Sequence, residues 1–405
     1  MRNEQYIMVL PGTVWQIPLI KHIKKMGYKV IVVHPYENAP AFQYADEIVL
    51  ANILDKDACF AAAKKWDVCA VMSDECDIAT PTLAYVSEQM GLPSQGQNMA
   101  ALYTNKYLMR ELCKKHKLPY PEYQLCYTLS EAVEFFRLLN SKMIIKPIDA
   151  NSSRGVFTIT SEDDLVRLFD ESIKYAHHEK AVICERYISG AEFSVDGIKM
   201  PNGHVSLTIS EKTQFDYNKN LDNKLYFSYY SDTYDYDLLR ELNDKFVEKS
   251  QLPFGFTHAE YRYENGQFYL LEIGARGGGN LISSHIVPAL TGVDNYSILV
   301  EQFTSATTSH LIDVRSIDKN KAAALIFFDT SESGGVVQKI EGIEFLKSCA
   351  NILYYQFNFK IGDKIFRPTD GGNRIGFYIA CCENRKELDK LISTIDRIVK
   401  IVYVE

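Results

Sequence analysis

The chain has 405 residues, of which 46% are hydrophobic and 24% are charged; this composition excludes wholesale disorder and predicts two or three globular domains. The 44 Lys and Arg residues against 52 Asp and Glu residues give a formal net charge of −8, which argues against nucleic acid or an anionic membrane as a partner. No apolar run is long enough to span a bilayer, and nine scattered cysteines without a CxxC pair predict reduced thiols in a cytoplasmic protein rather than a disulfide framework or a structural zinc site.

The first hundred residues alternate strand-like and helix-like segments. Apolar runs at 6–10, 29–33, 47–51 and 68–72 are separated by helical patterns, two of them over 14–26 and near 55–65. This alternation predicts an α/β unit with a parallel sheet, whose ligands bind at the carboxyl ends of the strands. The first strand is followed by PGTVWQ and not by GxGxxG, so a dinucleotide site is not supported.

Two lysines and a polar loop follow this unit. Lys106 lies near the start of a predicted helix over 104–116, and two prolines after the helix mark a domain boundary. Lys146 ends the apolar run MII, and the small polar residues of 151–155 come next as a loop between strands. Each lysine alone could be a solvated charge, and a loop with a single glycine is a weak phosphate-binding pattern.

Two further segments of the middle region are less distinctive. A predicted strand ends at Glu185, with Glu192 seven residues later; its end could offer backbone groups to an adenine edge, or it could be an ordinary strand and turn. The tyrosine-rich stretch 215–237 predicts a loop, either over a pocket or on the surface.

A predicted hairpin carries one acid on each strand. Its Asn265-Gly266 turn indicates a two-residue loop, which with regular pairing places Glu260 opposite Leu271 and turns Glu272 to the other face. A three-residue loop would instead put both acids on one face, where they would repel each other without a cation between them. Oxygen ligands of this kind suit Mg²⁺. We expect a three-residue loop or another register shift, against the alternative of a solvated hairpin whose acids never meet.

An arginine and three glycines follow the second acid, in the segment that runs from Glu272 through Arg276 to Asn280. Arginine binds phosphate or carboxylate in a bidentate manner, and glycines let backbone N–H groups approach the same anion. A run of glycines alone could be only a flexible joint, but the arginine and the preceding acid favour an anion site.

The last ninety residues predict a small α/β unit. Strands are expected at 322–328, 352–359 and 374–382, and a final amphipathic helix carries its apolar residues over 388–399. No catalytic constellation is found there, so this unit is expected to pack, form an interface or line a pocket.

Taken in order, these elements resemble the ATP-grasp superfamily over roughly residues 1–300. The resemblance implies an α/β, ATP-grasp fold with an N-terminal parallel α/β domain (1–103), a nucleotide-binding and catalytic region (104–305, with a lid lobe over about 115–187) and a C-terminal α/β subdomain (306–405). It implies ATP and Mg²⁺ as cofactors, with two ions expected and Mn²⁺ as an alternative metal. The implied nucleotide-binding residues are Lys106, Lys146, Ser152, Ser153, Arg154, Gly155, Glu185, Arg186, Tyr187, Ile188 and Glu192, and the implied metal ligands are Glu260 and Glu272.

Arg276, the glycines after it and the C-terminal unit look most like the L-amino-acid ligase branch of the carboxylate–amine ligases. That branch implies that ATP phosphorylates a small-molecule carboxylate and that an amine then attacks the acylphosphate, which releases ADP and phosphate. The implied catalytic residues are Arg276, Gly279 and His258, and the implied substrate-binding residues are Glu211, Arg276, Gly278 and Asn280. The resemblance is also compatible with a homodimer.

Several alternatives stay open at this stage. His258 or Glu211 could serve as a base, or they could only orient Glu260 and pair with Lys212, respectively. The family often has an asparagine two positions after the second acid, whereas this chain has Gly274, so the two glutamates and the phosphates would hold the metal. The activated acid could instead be a sugar acid or bicarbonate, or the protein could bind nucleotide without turnover.

Overall fold

The N-terminal part of the chain is a parallel α/β unit. The computed structural model describes residues 5–150, 154–177 and 179–404. Four parallel strands are ordered β3-β2-β1-β4, which confirms the predicted sheet. Its strands are β1 Tyr6–Val9, β2 Lys29–His34, β3 Glu47–Leu50 and β4 Ala70–Met72, and its helices are α1 Ile17–Lys25, α2 Lys56–Lys65, α3 Thr80–Gln89 and α4 Gln97–Leu102.

A small antiparallel lobe follows, built on a four-stranded sheet ordered β5-β8-β6-β7. Helix α5 leads into it. Thr128 and Ser161 are the N-cap residues of α6 and α7, and both form capping boxes that satisfy the first backbone N–H groups of these helices. Its elements are α5 Lys106–His116, β5 Tyr123–Cys126, α6 Leu129–Leu139, β6 Met143–Pro147, β7 Phe157–Ile159, α7 Glu162–Ile173 and β8 Val182–Arg186.

An eight-stranded antiparallel sheet forms the centre of the molecule, in the order β13-β12-β9-β10-β11-β14-β18-β16. Five of its strands come from the middle of the chain, and β14, β16 and β18 are the three strands predicted in the last ninety residues. The middle elements are β9 Glu192–Met200, β10 Gly203–Phe215, β11 Asn218–Ser228, α8 Tyr236–Ser250, β12 Gly255–Glu264, β13 Gln267–Gly274, α9 Val287–Thr291 and α10 Asn295–Ser305, with a π-helix over Ile282–Ile286 before α9.

Strands β14, β16 and β18 of the C-terminal region therefore extend the central sheet. A separate three-stranded sheet, β17-β15-β19, covers this end of the molecule. The C-terminal elements are β14 Ala322–Phe327, β15 Gly335–Glu341, α11 Ile343–Ser348, β16 Ile352–Phe357, β17 Lys364–Ile365, β18 Gly376–Cys382, α12 Arg385–Ile398 and β19 Lys400–Tyr403. The final helix buries Leu388, Ile392 and Ile395, as its pattern predicts.

The tyrosine-rich stretch 215–237 is where the prediction from the sequence differs most from the structure. It was expected to be a loop, but Asn218–Ser228 is a strand paired with β10 on one side and β14 on the other. Leu221, Leu225 and Phe227 are buried in this strand. The polar and aromatic residues between them obscure the alternation that typifies a half-buried strand.

The two faces of the central sheet differ sharply, and this difference positions the site. One face is apolar and forms a core with α8 through Phe193, Val195, Ile209, Ala259 and Ile273. The opposite face carries charged and polar side chains from neighbouring strands, since side chains alternate between faces along a strand. In the described parts of the chain, no helix is long and apolar enough to cross a membrane.

Candidate active site

Glu260 and Glu272 lie directly opposite each other on the polar face of the sheet. The turn between their strands is the two-residue one, with Glu264 paired to Gln267, so the expected three-residue loop is wrong. The register shift is supplied by a β-bulge between Glu260 and Tyr261, which leaves Leu271 as an extra residue in β13. Since a bulge sets two residues against one, Glu272 returns to the face of Glu260. The two acids therefore share a face, as expected, but the cause is the bulge and not the form of the turn.

Each of these carboxylates is held by one buried lysine. Lys106 Nζ donates to Glu272 Oε1 at 2.9 Å, and Lys212 Nζ donates to Glu260 Oε1 at 2.6 Å. Burial opposes ionisation of Glu260, but Lys212 outweighs it and lowers the pKa of this carboxyl to about 2. Both side chains are therefore anchored on the same face by an ion pair with a lysine.

The donor set fits a magnesium ion. Within the described residues, hydrogen bonds reach only Oε1 of each glutamate, which leaves Oε2 of both for a cation. The described residues contain no cluster of three or more metal-ligating side chains. Mg²⁺ is commonly held by one or two carboxylates together with substrate phosphates, and Glu260 and Glu272 fit that pattern.

Lys212 is a central residue that the sequence analysis treated only as a partner of Glu211. Its buried ammonium lies 3.1 Å from Glu192, 3.4 Å from Asp222 and 2.6 Å from Glu260. Burial acts to lower its pKa, but these three acids raise it well above the ordinary value. Lysine in a strand gives little indication of such a role, because it is more often a solvated charge.

Glu192, the expected ribose-binding acid, lies on the polar face beside Lys212. Arg262 Nη2 donates to its second oxygen at 3.0 Å, and the same arginine donates to the carbonyl of Ile188 at 2.9 Å. Arg262 therefore fixes Glu192 against the linker between the two sheets.

A second buried ionic group lies where the small lobe meets the central sheet. Glu185 accepts from Arg110 Nε at 2.5 Å on one oxygen and pairs with Lys146 Nζ at 2.6 Å on the other. Burial lowers the pKa of Lys146, although Glu185 opposes that shift. For Glu185, burial acts to raise the pKa, but Arg110 and Lys146 lower it. Lys146 is thus not the solvated charge that the sequence left open.

The expected adenine linker connects the two sheets. Arg186 ends β8 and donates to Glu122 at 2.7 Å and to Glu264 at 2.6 Å, which fixes this end of the lobe against the hairpin. Tyr187 lies under the cations of Lys142 and Arg262, and Ile188 is buried. The linker is therefore held by ion pairs and by cation–π contacts.

Part of the expected phosphate loop lies outside the described residues, namely Ser152 and Ser153. Arg154 is exposed at the end of this loop. Gly155 has φ +72, and a side chain there would approach Pro147 to 2.8 Å, so the close packing of the loop against β6 requires glycine.

The glycine-rich segment after Glu272 is bound to the N-terminal unit. Arg276 Nε and Nη2 donate to the two oxygens of Asp77, at 2.8 and 2.7 Å. Burial acts to raise the pKa of Asp77, but the Arg276 guanidinium lowers it. Asp74 is fully buried and accepts from the Gly277 N–H at 3.1 Å. The loop after β4 thus holds both the arginine and the glycines.

Glu75, in the same loop, faces the end of this segment. Its carboxylate accepts from the Leu281 N–H at 3.0 and 3.1 Å, and burial together with the charge of Asp74 raises its pKa well above the ordinary value. Glu75, Asn280 and Leu281 all have positive φ, a conformation that is uncommon in residues other than glycine and that recurs at functional sites as well as at helix ends. The π-helix that follows Leu281 is also typical of such sites.

The sequence analysis did not identify Asp74, Glu75 and Asp77. They belong to the segment SDECD that directly follows β4, at the carboxyl edge of the parallel sheet. Ligands of such sheets bind at that edge. The feature of the sequence that could have identified these acids was therefore their position after β4, and not a motif.

His258 lies on the polar face, and its Nδ1 is 2.8 Å from Asp196 Oδ1 while its Nε2 is 4.0 Å from Glu260. Gly278 packs tightly here, because a side chain at this position would come within 2.4 Å of Asp196. Gly279 has open space around it. Asp196 therefore orients His258, which lies near Glu260; its roles as a base or in orienting Glu260 stay predictions.

Glu211 is not part of this arrangement. It precedes Lys212 in β10 and consequently points to the opposite face, where Tyr234, Tyr236 and Arg385 are its electrostatic neighbours. Neither the expected contact with substrate nor the pairing with Lys212 is supported by this position.

Two family models match the chain. Residues 139–285 match the ATP-grasp domain, and residues 327–404 match the L-amino acid ligase C-terminal domain 2. Among curated proteins, the formate-dependent phosphoribosylglycinamide formyltransferase of Histophilus somni is 31% identical over 154 residues, which cover 38% of this chain and 39% of that protein. The D-alanine–D-alanine ligase of Neisseria gonorrhoeae is 27% identical over 232 residues, covering 54% of this chain and 73% of the ligase.

Solved structures share the fold over nearly the whole chain. An L-amino acid ligase from Bacillus licheniformis superposes with a TM-score of 0.81 at 18% identity, covering all of both chains. A phosphoribosylglycinamide synthetase from Anaerococcus prevotii superposes with a TM-score of 0.76 at 18% identity, covering 99% of this chain and 100% of that one. These likenesses show the fold, whereas the matched segment of the formyltransferase is well under half of that enzyme.

Proposed function

We propose that this chain, which matches the ATP-grasp domain over residues 139–285 and the L-amino acid ligase C-terminal domain 2 over residues 327–404, is an ATP-dependent carboxylate–amine ligase. It phosphorylates a small-molecule carboxylate with ATP and joins the resulting acylphosphate to an amine. The products are an amide, ADP and phosphate.

The observation that carries this proposal is the pair Glu260 and Glu272, opposite each other across a bulged hairpin and each anchored on one oxygen by a buried lysine. Each carboxylate keeps a second oxygen to which no described residue donates, and carboxylate oxygens together with phosphates are the usual ligands of Mg²⁺. When bound, Mg²⁺ supplies charge neutralisation for the phosphate groups of ATP.

Binding and orientation of ATP would fall to the residues between the two sheets. Lys106 and Lys146, paired with Glu272 and Glu185, supply positive charge, and Glu192 lies on β9 beside Lys212. Phosphoryl transfer depends on positioning and charge neutralisation more than on a covalent nucleophile, so these groups suffice for the first step.

The second step would use the glycine-rich segment. Arg276 is held in a bidentate pair by Asp77, and the glycines after it leave backbone N–H groups near the same space. Preorganised donors of this kind stabilise the negative charge that develops when an amine attacks an acyl group. Glu75 and Asp74 border the segment and would lie near the incoming substrate.

Coupled measurement of ADP release tests the proposal. The protein is assayed with ATP·Mg²⁺ and a panel of carboxylic acids, including amino acids, each with and without a panel of amines. We expect ADP release that requires one acid and one amine, together with an amide product detected by mass spectrometry. ADP release with a sugar acid or bicarbonate as the only effective acid, or no ADP release with any pair, would contradict the proposal.

A further inference from the structure

Arg110 is a fully buried arginine that lies between the two halves of the site. It is on α5, one turn after Lys106, so the two side chains point from the same face of the helix. Lys106 reaches the side chain of Glu272, whereas Arg110 reaches the backbone of the preceding residue: its Nη2 donates to the Leu271 carbonyl at 2.7 Å. One helix face thus contacts two consecutive residues of β13.

The carbonyl that Arg110 binds belongs to the bulge. Leu271 is the extra residue of β13, and a bulged residue loses its regular ladder partner. Leu271 is half-buried, and the Arg110 guanidinium supplies its carbonyl with a charged donor. Because the bulge is what brings Glu272 back to the face of Glu260, this hydrogen bond fixes the relative position of the two proposed metal ligands.

The other end of the same guanidinium binds Glu185. This carboxylate is nearly inaccessible and has two cationic partners, Arg110 on Oε1 and Lys146 on Oε2. The group therefore contains two positive charges and one negative charge. If Lys146 moves from Glu185 to a phosphate, Glu185 still has Arg110 as a counter-ion and is not left as an unpaired buried charge, which would be strongly unfavourable.

Stability of the fold does not explain this residue. Buried ion pairs are often no better for stability than apolar side chains of the same volume. Moreover, Nη1 of Arg110 is buried without a hydrogen-bond partner in the part of the chain that the structure describes, which itself costs free energy. A donor left unsatisfied in the interior calls for a functional reason.

We propose that Arg110 is a positioning residue with two separable effects: it releases Lys146 for the nucleotide phosphates by neutralising Glu185, and it holds the β13 bulge so that Glu272 and Glu260 bind one metal site. The inference rests on the proposed function, since it assigns Arg110 to the nucleotide and metal of that same site.

Binding measurements on the full chain test the two effects separately. Calorimetry with ADP in the presence of a chelator reports the nucleotide effect, and Mn²⁺ binding to the ADP complex, followed by electron paramagnetic resonance, reports the metal effect. In Arg110→Met, we expect both affinities to fall by about tenfold or more. The melting temperature should fall because the Leu271 carbonyl loses its charged donor, but unfolding should stay cooperative because the remaining Glu185–Lys146 pair is neutral overall.

A double variant distinguishes positioning from a general loss of structure. In Arg110→Met combined with Glu185→Gln, the carboxylate no longer retains Lys146, so ADP affinity should recover to that of Glu185→Gln alone. Mn²⁺ affinity should stay low, because the Leu271 carbonyl still lacks its donor. If Arg110 had only a structural role, the affinities for ADP and Mn²⁺ would fall together in Arg110→Met, and neither would recover in the double variant.

Arg240→Met is the matched control. Arg240 also donates from a partly buried position to a backbone carbonyl, that of Tyr229 at 2.6 Å, but it lies on α8 on the apolar side of the sheet. We expect wild-type binding of ADP and Mn²⁺ in this variant.

Arg110→Lys keeps the test decisive if Arg110→Met does not fold. An ammonium can neutralise Glu185 but cannot also bridge to Leu271, so ADP affinity should be near wild type and Mn²⁺ affinity reduced. Wild-type values of both affinities in either Arg110 variant would overturn the proposal. A wild-type protein that binds neither ADP nor Mn²⁺ would instead refute the proposed function, and the inference with it.

Discussion

At the scale of single residues, the site consists of charges that are fixed by opposite charges and not by solvent. Glu260, Glu272 and Glu185 each accept from a buried cation. The sequence analysis identified these three acids and two of the lysines, because a resemblance in motif order pointed to them. It missed Lys212 and Arg110, since a lysine in a strand or an arginine in a helix has no local pattern that separates a buried ion pair from a solvated charge.

Glu272→Gln should abolish ADP release while the fold is retained. The amide keeps the shape of the side chain but loses the charge that attracts the metal. Coupled ADP release together with circular dichroism checks this expectation. Glu241→Gln, an exposed change on α8, serves as the control, and full turnover in Glu272→Gln would remove the metal site.

Lys146→Ala should weaken ATP binding by more than tenfold, which corresponds to roughly 1.4 kcal/mol or more. The side chain supplies a positive charge from a site with little access to water, where it cannot be replaced by solvent ions. Titration calorimetry measures the change. Lys174→Ala is the matched control, because Lys174 forms an exposed pair with Glu171 in the same lobe; equal ATP affinity in the two variants would contradict the assignment.

Nucleotide affinity should also depend on pH through Lys146. Burial lowers the pKa of this lysine, and the cation that binds phosphate exists only below that pKa. ADP affinity should therefore be full at low pH and fall as the pH rises through the lowered pKa, before an ordinary lysine would lose its proton. In Lys146→Arg the fall should move to higher pH, since a guanidinium keeps its charge. Identical pH profiles in the two proteins would contradict this explanation.

At the scale of elements, the hairpin of β12 and β13 shows what local sequence can and cannot predict. The Asn265-Gly266 turn has the two-residue form that its residues favour. The bulge at Leu271 has no such indication, because the dipeptide Leu-Leu is equally suited to a regular strand. Strand parity correctly required a register shift for Glu272 but could not place it; in the structure the shift lies at Leu271, whose carbonyl accepts from Arg110 on α5.

Deleting one leucine of the Leu270–Leu271 pair tests what the bulge does. Without the extra residue, Glu272 pairs with Glu260 in a regular ladder and stays on the same face, but the carbonyl that accepts from Arg110 is lost. We expect Mn²⁺ affinity of the ADP complex to fall by about tenfold and ADP affinity without metal to change little. Hydrogen exchange over 267–274 verifies that the strand still pairs. Unchanged Mn²⁺ affinity would mean that the bulge only accommodates an extra residue.

At the scale of the whole molecule, the site is assembled from segments far apart in sequence. The N-terminal unit contributes Asp74, Glu75 and Asp77, which contact the glycine-rich segment about two hundred residues later. The parallel sheet and the order of the domains could be predicted from alternating patterns. The contact between them could not, because no periodicity within either segment specifies which surface of the other it meets.

Asp77→Asn should slow the complete reaction without weakening nucleotide binding. Asp77 accepts two hydrogen bonds from Arg276 and carries the charge that orients this guanidinium. The isosteric amide replaces one accepting oxygen with a donor, so Arg276 loses its bidentate partner and becomes free to adopt other rotamers. Loss of a preorganised donor costs about a hundredfold or more in turnover when the donor itself is removed, and we expect a loss of roughly tenfold when it is only misplaced.

The measurement pairs the rate of amide formation with calorimetry of ADP·Mg²⁺, because Arg276 is assigned to the acyl group and not to the nucleotide. Asp46→Asn is the control, since it breaks an ion pair with Lys24 in the same N-terminal unit but away from the glycine-rich segment. A fall in ADP affinity equal to the fall in turnover would show that Asp77 supports the cleft as a whole. Turnover equal to that of Asp46→Asn would show that the N-terminal unit does not orient Arg276 for the reaction.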